Sequence, residues 1–324
     1  MDNQDTNTPN VDVKAADSPA SARQHDVLEI FQDKKVPSTA ALYWREIKTD
    51  KFALVGAFVV VFILAFSFIG SAIITTDVAT AQNLRNRLQP PSWQGGPEGY
   101  ILGTDDGGRN MFQMLVVASR NSLFLGFSVA VISIIVGVGV GIFSGFYGGH
   151  VDNVIMRITD TWSMIPGFMF IIALVNLLPR TLPLFITLLV IFGWMGRARM
   201  IRAMALQQRN MDYVSASKTL GTRNIVIIFR EVFPNMVTII AADIVLTMST
   251  VIGIETGLTL LGFGLRPGTP SLGTVINHAT NLANLQNRWW MWFPGILMVF
   301  IISLCINFVG QAMQRAADPR QRLV

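Results

Sequence analysis

Apolar runs alternate with polar stretches along the 324 residues. The run over 52–74 carries no charge. At about 1.5 Å per residue it crosses a hydrocarbon core of roughly 30 Å, which predicts a first transmembrane helix. Further runs predict spans over 123–147, over 151–178 (starting near Ile158, with Asp160 and Pro166 interrupting it), from 182 to around 203, over 236–260, and from Trp289 onward. Polar positions fill the intervals. Residues 1–38 show little periodicity and read as a disordered tail. Residues 39–51 mix Leu42, Tyr43, Trp44 and Ile47 with charges and suit an interfacial helix on the membrane lipid. Residues 75–121, with Pro90, Pro91, Gly95, Gly96 and Pro97, read as an ordered external loop. The expected domain plan is completed by a core membrane domain over 122–312, with five helices and a cytoplasmic loop over 204–235, and a tail over 313–324.

One polar-to-amphipathic interruption, 211–235, separates two apolar blocks. Asp212 is expected to cap a short helix, Gly221 to end it in a left-handed conformation, Thr222 to cap a second helix and Pro234 to close that one. Tyr213, Ala216 and Leu220 share one face of the first helix. Ile225, Ile228, Phe229 and Val232 share one face of the second. Spacing alone leaves two readings open, a docking element for another protein and an ordinary loop on the headgroups.

Charge decides the class. Hydrophobic residues make up 51% and charged residues only 14% of the chain, with a formal net charge of +5. Arginines at 197, 199, 202, 209, 223 and 230, with Lys218, gather around 197–230, so this segment is expected on the cytoplasmic side, together with both termini. No basic-aromatic cluster suggests nucleic acid. Cys305 is the single cysteine, so an internal disulfide is excluded. An ionisable group inside lipid faces the bundle or a wet cavity, which singles out Asp243, then Glu255 and Asp160, as pathway or bundle polar groups. For Asp243 a structural hydrogen bond to a neighbouring helix is the competing reading. Fifth-span residues end at Glu255, and 255–273 reads as external. Asp160 is expected to pair with Arg157 on its own helix. His150 has no metal-ligand neighbour in sequence, and the carboxylates at 105 and 106 lack the calcium-loop pattern. No GxxxxGK[ST], HExxH or GxSxG occurs, so no catalytic machinery and no cofactor is expected on this chain.

Several motifs occur in order. Ser215-Ala216-Ser217, then Gly221, then Phe233-Pro234 resembles the cytoplasmic "EAA" loop of ABC-importer permeases. Leu102-Gly103-Thr104-Asp105, with Gly108-Arg109-Asn110, is similar to the LGTDxxGRD signature of C-type permease subunits of oligopeptide and dipeptide importers; Asn110 replaces the final aspartate. Residues 118–123, 156–166, 255–273, 289–295 and the Asp318-Pro319-Arg320 ending resemble further segments of that family, over roughly 41–324. The resemblance implies an all-α polytopic fold, a six-helix bundle of the type I ABC-importer permease. It implies Tyr213, Ala216, Leu220, Gly221, Phe233 and Pro234 as the ATPase-docking residues, and Gly103, Thr104, Asp105, Gly108 and Arg109 as an external motif. The implied partners are a sister B-type permease, two ATPase subunits that hold ATP and Mg, an extracytoplasmic substrate-binding protein and a peptide. The implied location is the bacterial cytoplasmic membrane. The same family handling a nickel chelate or glutathione is the alternative, and a secondary transporter is a more distant one, because no internal repeat of broken helices is visible.

Overall fold

The computed structural model describes residues 39–266 and 268–317; the expected tail over 1–38, and residues 318–324 of the expected tail over 313–324, lie outside them. Among the described residues every regular element is helical, and the one isolated β-bridge joins Thr104 to Asn110. Among the described residues five helices are long and apolar enough to cross a membrane, and one further bent pair makes six when it is taken as one span.

Helix α1 (Thr39–Thr49) and α2 (Lys51–Ile73) meet at Asp50. The expected 39–51 helix stops at Thr49 because the Asp50 carboxylate accepts from the free amides of Phe52 and Ala53 and so starts the first span. Arg315 from the last helix binds both Asp50 and Glu46, and the Tyr43 hydroxyl donates to the Thr238 carbonyl at 2.5 Å. The N-terminal pair is thereby fastened to the bundle.

After the short α3 (Thr76–Thr80) and two 3₁₀ turns comes α4, Met111–Tyr147, 37 residues long. It starts twelve residues before the expected second span, so the loop ends at Asn110 and the domain boundary at 121/122 falls inside a helix. Asn110 caps α4 through the Phe112 amide. The polar residues that suggested a loop instead point inward: Ser119 donates to the Leu115 carbonyl, and Asn121 and Ser122 are buried with partners elsewhere.

Helices α4 and α7 (Leu182–Arg209) form the tightest pair. A Cβ on Gly141 would lie 2.5 Å from the Ala198 carbonyl oxygen, and one on Gly145 would lie 2.4 Å from that of Arg202. Only glycine permits this backbone approach. Between them the third span is broken into α5 (Gly149–Ser163) and α6 (Gly167–Leu177), bent by 68° at Met164–Pro166. Pro166 does interrupt the run; Asp160 lies inside α5 and breaks nothing.

The 204–235 segment differs most from expectation. Residues 204–209 belong to α7. Helix α8 (Asp212–Thr219) starts after Met211, and Asp212 occupies its first turn without capping it. Gly221 has φ +79°, as a left-handed terminator requires. Thr222 is not a cap either, since Arg223 precedes α9 (Asn224–Ile227). A π-turn over Ile228–Val232 then runs directly into α10 (Phe233–Leu260). Pro234 therefore lies within a continuing helical run rather than closing one: the wider π-turn just before it accommodates the bond that its missing N–H cannot make. The π-turn also rotates the face expected of 225–232, burying Ile228 and Val232 while Ile225 and Phe229 stay exposed. The fifth span continues to Leu260, which places Glu255 inside it and not in a loop.

Ser271 caps α11 (Leu272–Ile276) in a reciprocal box with Thr274. Helix α12 (Leu282–Asn287) and a 3₁₀ turn lead to α13 (Phe293–Ala317), which carries the last span past 312 into the expected tail. Trp290 is buried in the core with Met111, Ile252 and Met291, and is not part of an interfacial belt. Its indole donates to the Thr104 carbonyl at 3.2 Å. A second core under α8 gathers Val214, Ile227, Ile228 and Met236 against Ile142, Phe146 and Ile201.

Candidate functional site

At the 204–235 end, α8 is anchored from beneath. Val214 is fully buried, the Lys218 ammonium lies 5.1 Å from the centre of the Phe146 ring, and Ser217 donates to Glu231 at 2.7 Å. Its outer surface is free. Tyr213 and Ala216 are exposed, and Leu220 is 84% exposed. The Tyr213 hydroxyl donates to Gln208 at 2.5 Å, which fixes the ring, and partial burial holds its phenol above the ordinary value. Gly221 ends the helix beside this patch, while Phe233 is half-buried and Pro234 exposed on the next element. The structure thus brings Tyr213, Ala216, Leu220 and Gly221 together on one outward ridge.

Three acidic groups are matched by arginines of α7, two of them at least partly buried, while Asp160, expected as a bundle group, is exposed. Arg197 lies 3.6 Å from Asp243 and also donates to Thr247 and to the Gly193 carbonyl. Asp160 faces Arg199 at 3.7 Å and is not paired with Arg157, because α5 presents it to α7. Arg202 grips Asp152 with two donors, and Ser144 donates to the same carboxylate. Sequence reasoning missed Asp152, although the i, i+3 spacing of Arg199 and Arg202 marks one helix face for two carboxylates.

Glu255 is fully buried and accepts from Ser271 (2.8 Å), Thr259 (3.1 Å) and Ser122 (3.3 Å). Ser122 in turn accepts from the Leu272 amide at 3.0 Å. Asn121 donates to the Pro270 carbonyl at 2.7 Å. These bonds tie α4, α10 and α11 at the end away from α8. Neither Ser122 nor Ser271 stands out in sequence, since a lone serine in an apolar run carries no partner signal.

At the same end the 103–110 motif is a hydrogen-bonded knot. Thr104 is buried and bonds Asn86 and Gln89. The Asp105 Oδ1 atom accepts from the Gly107 and Arg109 amides at 2.8 Å each, and Gly103 and Gly108 take positive φ beneath neighbouring backbone. Beside it, burial pushes the His278 imidazole below its ordinary value, against the pull of Asp106 and Asp105 and with Arg109.

Comparison with known proteins agrees with this architecture. Residues 137–323 match the family described as binding-protein-dependent transport system inner membrane component, and residues 38–91 match the N-terminal transmembrane domain of oligopeptide transport permease C. The oligopeptide transport system permease protein OppC of Lactococcus lactis subsp. lactis (strain IL1403) is 39% identical over 85% of this chain and 93% of its own. OppC of Bacillus subtilis (strain 168) is 32% identical over 94% and 96%, and the dipeptide transport system permease protein DppC of Haemophilus influenzae is 30% identical over 86% and 94%. Among solved structures, an inward-facing MetNI methionine ABC transporter chain superposes with a TM-score of 0.52 at 17% identity, covering 64% of this chain and 98% of that one. That last likeness is one of fold. A six-span bundle with an exposed helical ridge at one end is thus a membrane-embedded component of a binding-protein-dependent transport system. Within that class the chain belongs to the C-type permease subunits of the oligopeptide and dipeptide ABC importers.

Proposed function

We propose that this chain forms half of the membrane pathway of an ATP-driven peptide importer and couples to an ATPase subunit through α8. The observation that carries the coupling is the ridge of Tyr213, Ala216 and Leu220, exposed on a helix whose opposite side is packed into the core through Val214. A rigidly seated helix with apolar anchors outward suits insertion into a groove of another protein. ATP and Mg belong to that partner, and this chain carries no catalytic group. The apolar residues left exposed on α5 and α6, such as Val154, Ile158, Phe168 and Met169, suit lipid or a sister permease. The 75–110 end then faces the substrate-binding protein, and the termini lie with α8 in the cytoplasm of a bacterium. Asp243 serves as a polar group of the bundle next to the pathway.

The docking test uses the purified complex. Gly221→Val puts a β-branched residue at φ +79°, and Ala216→Glu places a charge in the apolar ridge. Each is expected to release the ATPase subunit, by about a hundredfold in affinity if an anchor worth about 2.7 kcal/mol is lost, with normal membrane levels of this chain. Retention of the ATPase together with normal transport in both variants refutes the coupling. Orientation is tested separately: in a Cys305→Ser background, Gly95→Cys labels from outside and Ser215→Cys from inside.

A further inference from the structure

We propose that Asp105, Asp106 and His278 form a site for one divalent metal ion of the zinc class, at the edge of a cavity of about 370 Å³ that Asp106 and His278 help to line, at the end of the bundle away from α8. One carboxylate oxygen of each aspartate and one ring nitrogen of the histidine lie within 4.8 Å of one another. They come from segments more than 170 residues apart in the chain, joined only by the fold. Donors at about 2.1 Å from a tetrahedral ion sit about 3.4 Å apart. Exposed Asp106 and half-buried His278 can close the remaining distance by side-chain rotation.

The second observation is independent of this proximity. Asp105 is 0% exposed, and two backbone amides hold its Oδ1, yet its Oδ2 has no hydrogen-bond donor. A buried carboxylate oxygen left without a donor is unfavourable. Arg109 does not satisfy it: the nearest guanidinium nitrogen stands 3.6 Å away, and its Nε is itself unpartnered. A cation bound by the Asp105 carboxylate supplies the missing partner.

Charge and donor type narrow the ion. The two carboxylates outweigh Arg109 by one negative charge, and the guanidinium of Arg180, which also lines the cavity, is bonded to the Gly262 carbonyl and to Asn176. Two oxygens and one imidazole nitrogen suit a zinc-like ion better than calcium, which takes six to eight oxygens. Three protein donors leave a fourth position of a tetrahedral ion for water or another ligand. When filled, the site clamps the loop before α4 to the 3₁₀ turn Asn277–Thr280.

The test uses the full-length chain, purified in detergent without a polyhistidine tag, stripped with chelator and titrated with Zn²⁺ by calorimetry and thermal unfolding. One ion per chain and a raised unfolding temperature are expected. Asp106→Asn and His278→Ala should each weaken binding by about tenfold or more, and the pair should abolish the thermal shift. His25→Ala with His150→Ala should leave both readouts unchanged. Asp105→Asn is not used, because Oδ1 holds the loop backbone. Equal zinc uptake by the wild type and the Asp106→Asn/His278→Ala variant, no uptake by the wild type, or a calcium response equal to that of zinc overturns the proposal. None of these readouts depends on transport.

Discussion

Replacing Arg197 and Asp243 singly and together tests whether the bundle depends on their pairing. Their charged atoms are 3.6 Å apart, with side chains 24% and 19% exposed. At an effective dielectric of 20, two unit charges at that distance attract by about 4.6 kcal/mol, an upper bound before desolvation is subtracted. Arg197→Leu strands the Asp243 carboxylate, whose Oδ2 already lacks a hydrogen-bond donor, and is expected to destabilise by about 3–5 kcal/mol. Asp243→Leu should be milder, because Arg197 keeps its bonds to Gly193 and Thr247. In the double variant no buried charge is left without its partner, so it should be more stable than the two single losses combined predict, by about 1–3 kcal/mol. Apparent unfolding free energies of the four purified chains at one temperature and one salt concentration complete the cycle. Single losses that add to within about 0.5 kcal/mol would show that the pair is incidental and that the span tolerates each charge alone.

Three further outcomes follow from the packing. Gly145→Val should push α4 from α7 and destabilise by about 1–3 kcal/mol in thermal unfolding, whereas Gly139→Ala, with open space around it, should be neutral or slightly stabilising. Glu255→Leu strands the hydroxyls of Ser122, Thr259 and Ser271 at about 1–3 kcal/mol each, and Glu255→Gln, which keeps an acceptor, should be milder in the same assay. Trp290→Phe removes the only side-chain donor found on the Thr104 carbonyl among the described residues; limited proteolysis should then cut the 75–110 segment sooner, with a loss of about 1–3 kcal/mol.

Much of this was legible in the chain. Apolar runs located the spans because lipid demands continuous helix, and the turn at Gly221 was visible because a left-handed terminator favours one residue type. What stayed hidden depends on which helix neighbours which. Arg199 and Arg202 read as a topological signal, yet both are consumed by carboxylates of α5. Ser119 and Asn121 read as loop because polarity alone does not distinguish water from a buried partner. Pro234 read as a stop because the preceding π-turn, which lets the helix run through, has no composition of its own. Trp290 and Glu255 were placed at an interface and a loop edge for the same reason: their partners, Thr104 and Ser271, are supplied by folding.

The passage from Asn224 through the π-turn to Leu260 counts as one helical run of 37 residues, about 55 Å long. It begins beside the exposed ridge, passes Asp243 midway and ends in the Glu255 knot. Such a run behaves as a beam more than as a string: a tilt of about 10° about its middle displaces each end by roughly 5 Å, in opposite directions. If a partner docks on the ridge as proposed, a push there reaches the Glu255 end by leverage.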